Sequence, residues 1–372
     1  DIILPLMAYL AFFCGLMELL IISGASEKLA KKLSPFFSKI FPSVPKNHES
    51  VSYMTLNFAA NFLGLDSAAT PFGLKAMQSL QELNPEKDKA SDAQIMFMCL
   101  HAAGLTLIPT SIIGYRAAAN AANPADVMLP CIITSFIGTI AAMLIVGIRQ
   151  KINFKSATLI VGLMTVVSAI AGLLFYINRL DLVEKNFFTS NLSGLMLIAI
   201  IGITLIYAFT KESKFVEQKT TIFDAFVSGA KNGLTTGVTI FPYVMGMLVA
   251  ISFFRNSGLF EIMSDGISFA FSNIGVSKQI TDSLPVAMLR PFSSSGSRGF
   301  MLDAMSTFGV DSLTGRLSSI FQCSAETTFY VIAVYFGSIN VKNTRYTLGI
   351  MLLVDLICVI TAIAVASWFF VE

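Results

Sequence analysis

The chain has 372 residues, of which 55% are hydrophobic and only 13% are charged, and its mean hydropathy is +0.73. A soluble domain carries about 25% charged residues, so the composition excludes an ordinary soluble protein. A net charge of +2 without a basic stripe argues against nucleic acid as a partner. No Walker, dinucleotide or zinc-protease motif occurs, and with only two histidines a histidine-centred enzyme is disfavoured.

Apolar runs recur along the chain at 2–23, 127–148, 156–176, 192–210, 235–254 and 345–370. Each is long enough, or nearly so, for a bilayer that needs about 20 helical residues. Two further runs, 93–116 and 312–338, are long but contain polar residues. Together these runs predict an all-α polytopic membrane protein with about eight transmembrane helices.

The first run, 2–23, lacks a preceding basic region and a small-residue cleavage site, which favours a membrane helix over a signal peptide. The chain begins inside apolar sequence, so whether another segment precedes it is left open. The stretches 25–41 and 257–274 mix charges with apolar residues at helical spacing. They predict helices lying at the membrane interface, with a cytosolic loop as the alternative.

Two apolar runs, 57–77 and 284–305, are interrupted by Gly, Pro and Ser at matching places in the two halves. Such pairs of interrupted segments point to a transporter binding site. Broken backbone at membrane depth survives only where protein or a polar cavity satisfies its polar groups. We therefore predict two re-entrant helical hairpins whose tips approach each other near the bilayer midplane.

The distribution of positive charge predicts that the two repeats have opposite orientations in the membrane, that is, that they are inverted. If the hairpins re-enter the membrane, the remaining helices alternate, and 17 of the 25 Lys and Arg residues fall on one side. The other side receives Arg116, Arg179, Lys185, Arg255, Lys278, Arg290, Arg298 and Arg316. Because positive charge stays in the cytoplasm, the loop 149–155 is expected inside and Asp1 outside.

The candidate ligand-binding residues are polar side chains in and after the two hairpins: Asn57, Asn61, Asp66, Ser67, Thr70, His101, Thr106, Arg290, Ser293, Ser294, Ser295, Ser297, Arg298, Glu326 and Thr327. Each has a structural alternative. The asparagines could bind freed backbone groups, and Asp66 with Ser67 could cap a half-helix. The serines could serve close packing, and the threonines could bond their own helix.

Charged residues at membrane depth are costly and point either to function or to an ion pair. Glu326 is expected beside Arg290 or Arg298, or at the wall of the cavity, with Asp303 as the other partner for the arginines. A lone buried carboxylate takes up a proton unless a cation holds it charged. His101 could serve either as a ligand or as a packing residue.

Several motifs resemble known families. The run from Asn57 to Met77, with Thr106-Leu-Ile-Pro109-Thr110, resembles the spore maturation protein A family. The runs Arg290-Pro291-Phe-Ser-Ser-Ser-Gly296 and Glu326-Thr-Thr-Phe-Tyr resemble the spore maturation protein B family. One departure is that His101 to Gly104 stands where the A family usually has an Asn and hydroxyl-rich tetrapeptide.

The resemblance implies two nucleoside-recognition, or Gate, repeats similar to parts of concentrative nucleoside transporters. It divides the chain into an A-like repeat at 1–150, two connecting helices at 151–220 and a B-like repeat at 221–372. A role in spore formation need not hold for a chain that joins an A-like and a B-like repeat.

Two functions follow as expectations. The first is secondary transport of a small polar solute, a nucleoside or an ion, bound between crossed hairpins. The second is a non-transporting membrane module that organises other envelope proteins. With either function, the protein would lie in the bilayer of a bacterial cytoplasmic membrane. We expect no resident cofactor and no metal site, with Na⁺ or H⁺ coupling and a homo-oligomer left open.

Overall fold

The structure is a computed structural model that describes residues 3–45, 47–63, 66–177, 179–180, 182–258, 262, 265–266 and 277–370. Within these ranges the regular structure is α-helical, with one isolated β-bridge between Lys89 and Asn343. The first helices are α1 (Ile3–Ile22), α2 (Ala25–Ile40), α3 (Glu49–Phe62), α4 (Asp66–Glu82), α5 (Asp92–His101), α6 (Thr110–Ala118), α7 (Met128–Arg149) and α8 (Ala157–Ile177). They are followed by α9 (Leu182–Thr210), α10 (Glu212–Glu217), α11 (Ile222–Asn256), α12 (Lys278–Thr281), α13 (Leu284–Leu289), α14 (Ser294–Phe308), α15 (Leu313–Cys323), α16 (Thr328–Gly337) and α17 (Thr347–Phe370).

Four of the described helices are long and apolar enough to cross a membrane: 128–149, 157–177, 191–210 and 347–370. The segments Met7–Ile22 and Glu27–Ile40, which meet at 71°, would make a fifth if they form one bent span. The protein is thus a multi-pass helical membrane protein, and the expected number of about eight spans stays a prediction.

The two polar-dotted runs are each broken into two short helices. The run 93–116 becomes α5 and α6, separated by residues 102–109, and the run 312–338 becomes α15 and α16, separated by residues 324–327. The length and apolar composition of both runs predict continuous spans, and the breaks correct this prediction. Gly104, at a φ of 53°, takes the left-handed conformation that glycine adopts without a steric penalty, and it helps to end the first helix.

Both interrupted runs form pairs of helices in the described part of the chain. α3 packs against α4, and α13 packs against α14, with the turn of each pair at the predicted interruption. Of the two predicted interfacial stretches, 25–41 contains α2, which bends away from α1. Most of 257–274 lies outside the described residues.

α7 and α17 pack against each other, and both contribute to the two largest buried clusters of the described residues. They run in opposite directions. Tyr346, just before α17, lies under Arg149 at the end of α7, with 4.3 Å from the guanidinium carbon to the ring centroid. Near the other end, Leu129 of α7 shares an apolar cluster with Val365 and Phe369 of α17.

The two broken helices also run in opposite directions. Asp92 begins α5 and pairs with Arg345, which follows α16, at 2.6 Å between Oδ1 and Nη1. Arg116 in the last turn of α6 pairs with Asp311, which precedes α15, at 3.1 Å. The broken helices that follow the two hairpins, one in each half of the chain, are therefore antiparallel.

α11 packs closely on α1 along a row of glycines spaced four residues apart, Gly229, Gly233 and Gly237. A Cβ atom added at Gly229 or Gly233 would lie 2.5 Å from a backbone oxygen of α1, that of Cys14 or of Leu10. Small residues at this spacing let two membrane helices approach until their backbones touch. The row places the start of the second half of the chain against α1.

Candidate functional site

The two helix breaks meet, and a backbone hydrogen bond joins one to the other. The backbone N–H of Glu326 donates to the carbonyl of Ala102 at 2.9 Å. A Cβ atom added at Gly104 would come within 3.2 Å of the carbonyl oxygen of Cys323, so the two breaks are in close contact. The amide of Glu326 and the carbonyl of Ala102, both freed by the breaks, are thus satisfied by protein, as such groups must be where lipid offers no partner.

Each break is also joined to the hairpin of its own half. The N–H of Leu107 donates to the carbonyl of Phe62 at the end of α3, at 2.8 Å. In the second half, the N–H of Phe329 donates to the carbonyl of Pro291 at 3.1 Å. Through these bonds the end of α3 and the turn after α13 each contact the broken helix of their own half.

A cavity of about 290 Å³ lies at this crossing, and both halves of the chain contribute to its wall. Nine of the predicted binding residues line it: Asn61, Thr70, His101, Thr106, Arg290, Ser294, Arg298, Glu326 and Thr327. Thr110 also lines it, and sequence reasoning missed five further polar residues of the wall: Ser111, Tyr115, Gln322, Tyr330 and Tyr335. The tyrosines gave no signal because aromatic residues in apolar helices look like ordinary packing.

Arg290 is the most extensively bonded side chain in this wall. Its Nη1 lies 3.1 Å from the hydroxyl oxygens of both Ser294 and Thr327. Its Nη2 lies 4.0 Å from Oε2 of Glu326. Arg290 itself is almost completely buried, whereas 37% of the Glu326 side chain is exposed to the cavity. The buried guanidinium thus holds two hydroxyls and one carboxylate of the cavity wall in place.

The second arginine of the wall approaches from α14. Arg298 lies over the ring of Tyr115, with 5.5 Å from the guanidinium carbon to the ring centroid. Two guanidinium groups and one carboxylate therefore border the cavity within the described residues. Such a wall suits a neutral polar solute with several acceptor atoms, or a solute with a negatively charged group.

His101 combines a position at the cavity with an aromatic environment. Its ring centroid lies 5.6 Å from that of Phe58, 5.0 Å from Phe97 and 5.5 Å from Tyr335. Its Nδ1 is 3.4 Å from Nδ2 of Asn61. Packing against rings accounts for most of its contacts, and Asn61 connects it to the cavity wall.

Four predicted residues lie outside the cavity wall. Asn57 is completely buried and donates from Nδ2 to the carbonyl of Ala69 at 2.7 Å, which ties α3 to α4. Ser293 caps α14 by accepting from the N–H of Gly296 at 3.0 Å. Ser297 is completely buried, with Oγ 2.8 Å from the carbonyl of Val286. Ser295 is half-buried on α14.

Two more predicted residues, Asp66 and Ser67, begin α4, but their side chains lie outside the described part of the structure. The structural alternatives of the sequence analysis thus fit the contacts of Asn57, Ser293 and Ser297. The binding role stays a prediction for the nine residues of the wall.

Comparison with known proteins agrees with the motifs. The family described as "Gate: Nucleoside recognition" matches residues 3–119 and 238–342. Spore maturation protein B of Bacillus subtilis (strain 168) is 37% identical over 179 residues, which cover 48% of this chain and 95% of that protein. Spore maturation protein A of the same organism is 39% identical over 140 residues, covering 38% of this chain and 71% of that protein.

No solved structure matches the chain. The family matches cover both halves of a helical membrane protein, and their hairpins and broken helices surround one cavity. The chain belongs to the nucleoside-recognition, or Gate, family and is related to both spore maturation protein A and spore maturation protein B.

Proposed function

We propose that the protein is a secondary transporter that binds a small polar solute in the central cavity and exposes it alternately to the two sides of the membrane. The observation that carries this proposal is the crossing of two discontinuous helices at a polar cavity shared by both halves. Transporters place substrates at discontinuous helices near the bilayer midplane. The family description makes a nucleoside-like solute the first to test.

The proposal includes two inverted repeats with re-entrant hairpins. The opposite directions of α7 and α17, and of the two broken helices, support inversion. The distribution of Lys and Arg supports an orientation with the loop 149–155 in the cytoplasm of a bacterial cell.

In this arrangement the wall residues have distinct roles. Arg290 orients Ser294 and Thr327 and holds Glu326 at the cavity. The hydroxyls of Thr70 and Thr106 and the rings of the tyrosines would contact the solute directly. A polar solute would be recognised because an analogue without matching groups would leave buried wall groups unpaired.

A ligand screen followed by uptake tests the proposal. Purified protein is heated with nucleosides, nucleobases, amino acids, polyamines or metal ions, and the solute that raises its melting temperature is then assayed for uptake into proteoliposomes. Thr106→Val should reduce both effects, because it removes a hydroxyl from the wall. Thr165→Val is the matched control, since that hydroxyl bonds its own helix on the exposed face of α8.

The alternative is a non-transporting membrane scaffold. Contacts between the two halves on both sides of the cavity favour it: Arg345 with Asp92 on one side, and Arg116 with Asp311 on the other. The names of the two relatives refer to spore maturation, and a role in organising an envelope would fit those names. A protein that shows no thermal response to any solute class and no uptake would support the scaffold and contradict transport.

A further inference from the structure

A second cavity, of about 460 Å³, lies at the end of α7, away from the central site. It is lined by Asp92, Arg149, Gln150, Arg345 and Tyr346. Residues from both halves of the chain meet there, since Asp92 begins α5, Arg149 ends α7 with Gln150 directly after it, and the segment before α17 supplies the other two. The transport proposal uses none of these side chains.

The ring of Tyr346 holds two arginines near one point. The guanidinium carbon of Arg149 lies 4.3 Å from the ring centroid, and that of Arg345 lies 5.1 Å from it. Gln150 fixes the tyrosine, because its Nε2 lies 3.1 Å from the phenol oxygen and 2.8 Å from the carbonyl of Asp92. Burial raises the pKa of Tyr346, so its hydroxyl stays neutral at physiological pH.

Positive charge exceeds negative charge in this cavity. Arg345 is paired through Nη1 with Asp92 at 2.6 Å. Arg149 has no ion-pair partner among the described residues, although it is exposed at the cavity. Two guanidinium groups against one carboxylate leave a site that attracts an anion, and a guanidinium fork matches the oxygens of a phosphate group.

The position of the cavity specifies where such an anion would come from. α7 ends at Arg149 and α17 begins at Thr347, and both helices are candidate membrane spans. The cavity therefore lies where the ends of two candidate spans meet, a position that in a bilayer would be at the depth of the lipid phosphates. Arginines at that depth gain favourable energy from anionic headgroups.

We infer that this cavity is a binding site for a phosphate group, held between the guanidinium groups of Arg149 and Arg345, with Tyr346 as the platform that positions both arginines. The phosphate belongs either to the headgroup of an anionic lipid or to a soluble phosphate. Because the site joins the two halves of the chain, its occupant would bridge them at the membrane surface.

Native mass spectrometry of the full-length chain in detergent tests this inference. The ligands are phosphatidylglycerol, a glycolipid with the same acyl chains but no phosphate, and inorganic phosphate as a competitor. Arg149→Gln should weaken phosphatidylglycerol binding by about tenfold, equivalent to about 1.4 kcal/mol. Arg149→Lys should recover part of the loss because it keeps the charge but not the fork.

Asp92→Asn should have the opposite effect and tighten binding, because it removes the carboxylate that competes for Arg345. A merely structural role for the ion pair would give weaker binding or no change instead. The matched control is Arg179→Gln. That arginine also lies 4.3 Å over an aromatic ring, that of Phe175, but it does not line the cavity.

The two sources of phosphate are separated by competition. If millimolar inorganic phosphate displaces the lipid, the site accepts a soluble phosphate as well; if it does not, the headgroup is the ligand, and either result supports a phosphate site. Equal binding of the glycolipid, wild-type binding by Arg149→Gln, or weaker or unchanged binding by Asp92→Asn would each overturn the inference.

Discussion

At the residue scale, two asparagines that look equivalent in the sequence have different tasks. Asn57 and Asn61 are one helical turn apart on α3. The Asn57 amide bonds the backbone of α4, whereas Asn61 lines the central cavity beside His101. The difference arises from the direction in which α4 returns along α3, which the spacing of the two residues does not encode.

We expect Asn57→Ala to destabilise the protein by about 1–3 kcal/mol, because the buried carbonyl of Ala69 loses its donor. Asn61→Ala should change stability much less, since its side chain is only partly buried. Thermal unfolding in detergent measures both variants. Equal losses of stability would contradict the separate roles.

Glu326 lines the cavity and has Arg290 as a cationic neighbour. We expect Glu326→Gln to fold with a nearly unchanged melting temperature, because the carboxylate is partly exposed and its distance to Arg290 is 4.0 Å. The same change should abolish the response to solute or the pH dependence of that response. Thermal shift and proteoliposome uptake over a range of pH measure these effects.

Glu217→Gln, an exposed change of the same kind on α10, is the control for the loss of a charge. A destabilisation of about 3–5 kcal/mol in Glu326→Gln would identify a structural ion pair instead. Full activity with unaltered pH dependence would contradict both roles.

At the scale of elements, the close contact of α1 and α11 depends on glycines. We expect Gly233→Val to separate these helices and to destabilise the protein by about 1–3 kcal/mol, the usual cost of overpacking. The new side chain would meet the backbone of Leu10, which cannot rotate away as a side chain can.

Gly246→Val on the same helix is the matched control, because nothing lies within 4 Å of a Cβ atom added there. The melting temperatures of the two variants in the same detergent give the comparison. A loss in Gly246→Val as large as that in Gly233→Val would show that helix propensity, rather than the contact with α1, causes the effect.

At the scale of the whole molecule, buried ion pairs join the two halves beyond the central cavity. Arg116 is completely buried and pairs with Asp126 at 2.8 Å, and Arg316 pairs with the other oxygen of Asp126 at 2.8 Å. Asp126 therefore neutralises two arginines, one from each half of the chain. Removing one partner from a buried pair leaves a charge uncompensated.

We expect Asp126→Asn to destabilise the protein by about 3 kcal/mol, at the lower end of the range for buried pairs because Asp311 still contacts Arg116. Glu86→Gln is the control, since it removes an exposed pair with Lys89 that contributes about 0–1 kcal/mol. Unfolding followed by circular dichroism compares the two. Equal effects would contradict the role of Asp126 as the link between the halves.

The orientation of the whole protein is tested by labelling from outside intact cells. In a chain without its native cysteines, Lys151→Cys should be protected and Arg179→Cys should be labelled, because the distribution of Lys and Arg puts 149–155 in the cytoplasm. Labelling at position 151 would reverse the orientation. Equal labelling at both positions would contradict a single span between them.

The sequence by itself determined the class of protein, the family and the two interrupted runs. The composition and the length of the apolar runs identify a membrane protein, because lipid requires helices of a hydrophobicity and length that few other environments require. The motifs around Asn57 and Arg290 were specific enough to identify both halves, and the family matches confirm them.

Only the tertiary structure decided which polar residues share the cavity. The breaks at 102–109 and 324–327 lie in long, largely apolar runs, and backbone contacts join one break to the other. Those contacts join residues more than 200 positions apart, as in the bond from Glu326 to Ala102. Local helix propensity cannot predict such long-range contacts. The partner that satisfies a freed backbone group is supplied by the fold and not by the neighbouring sequence.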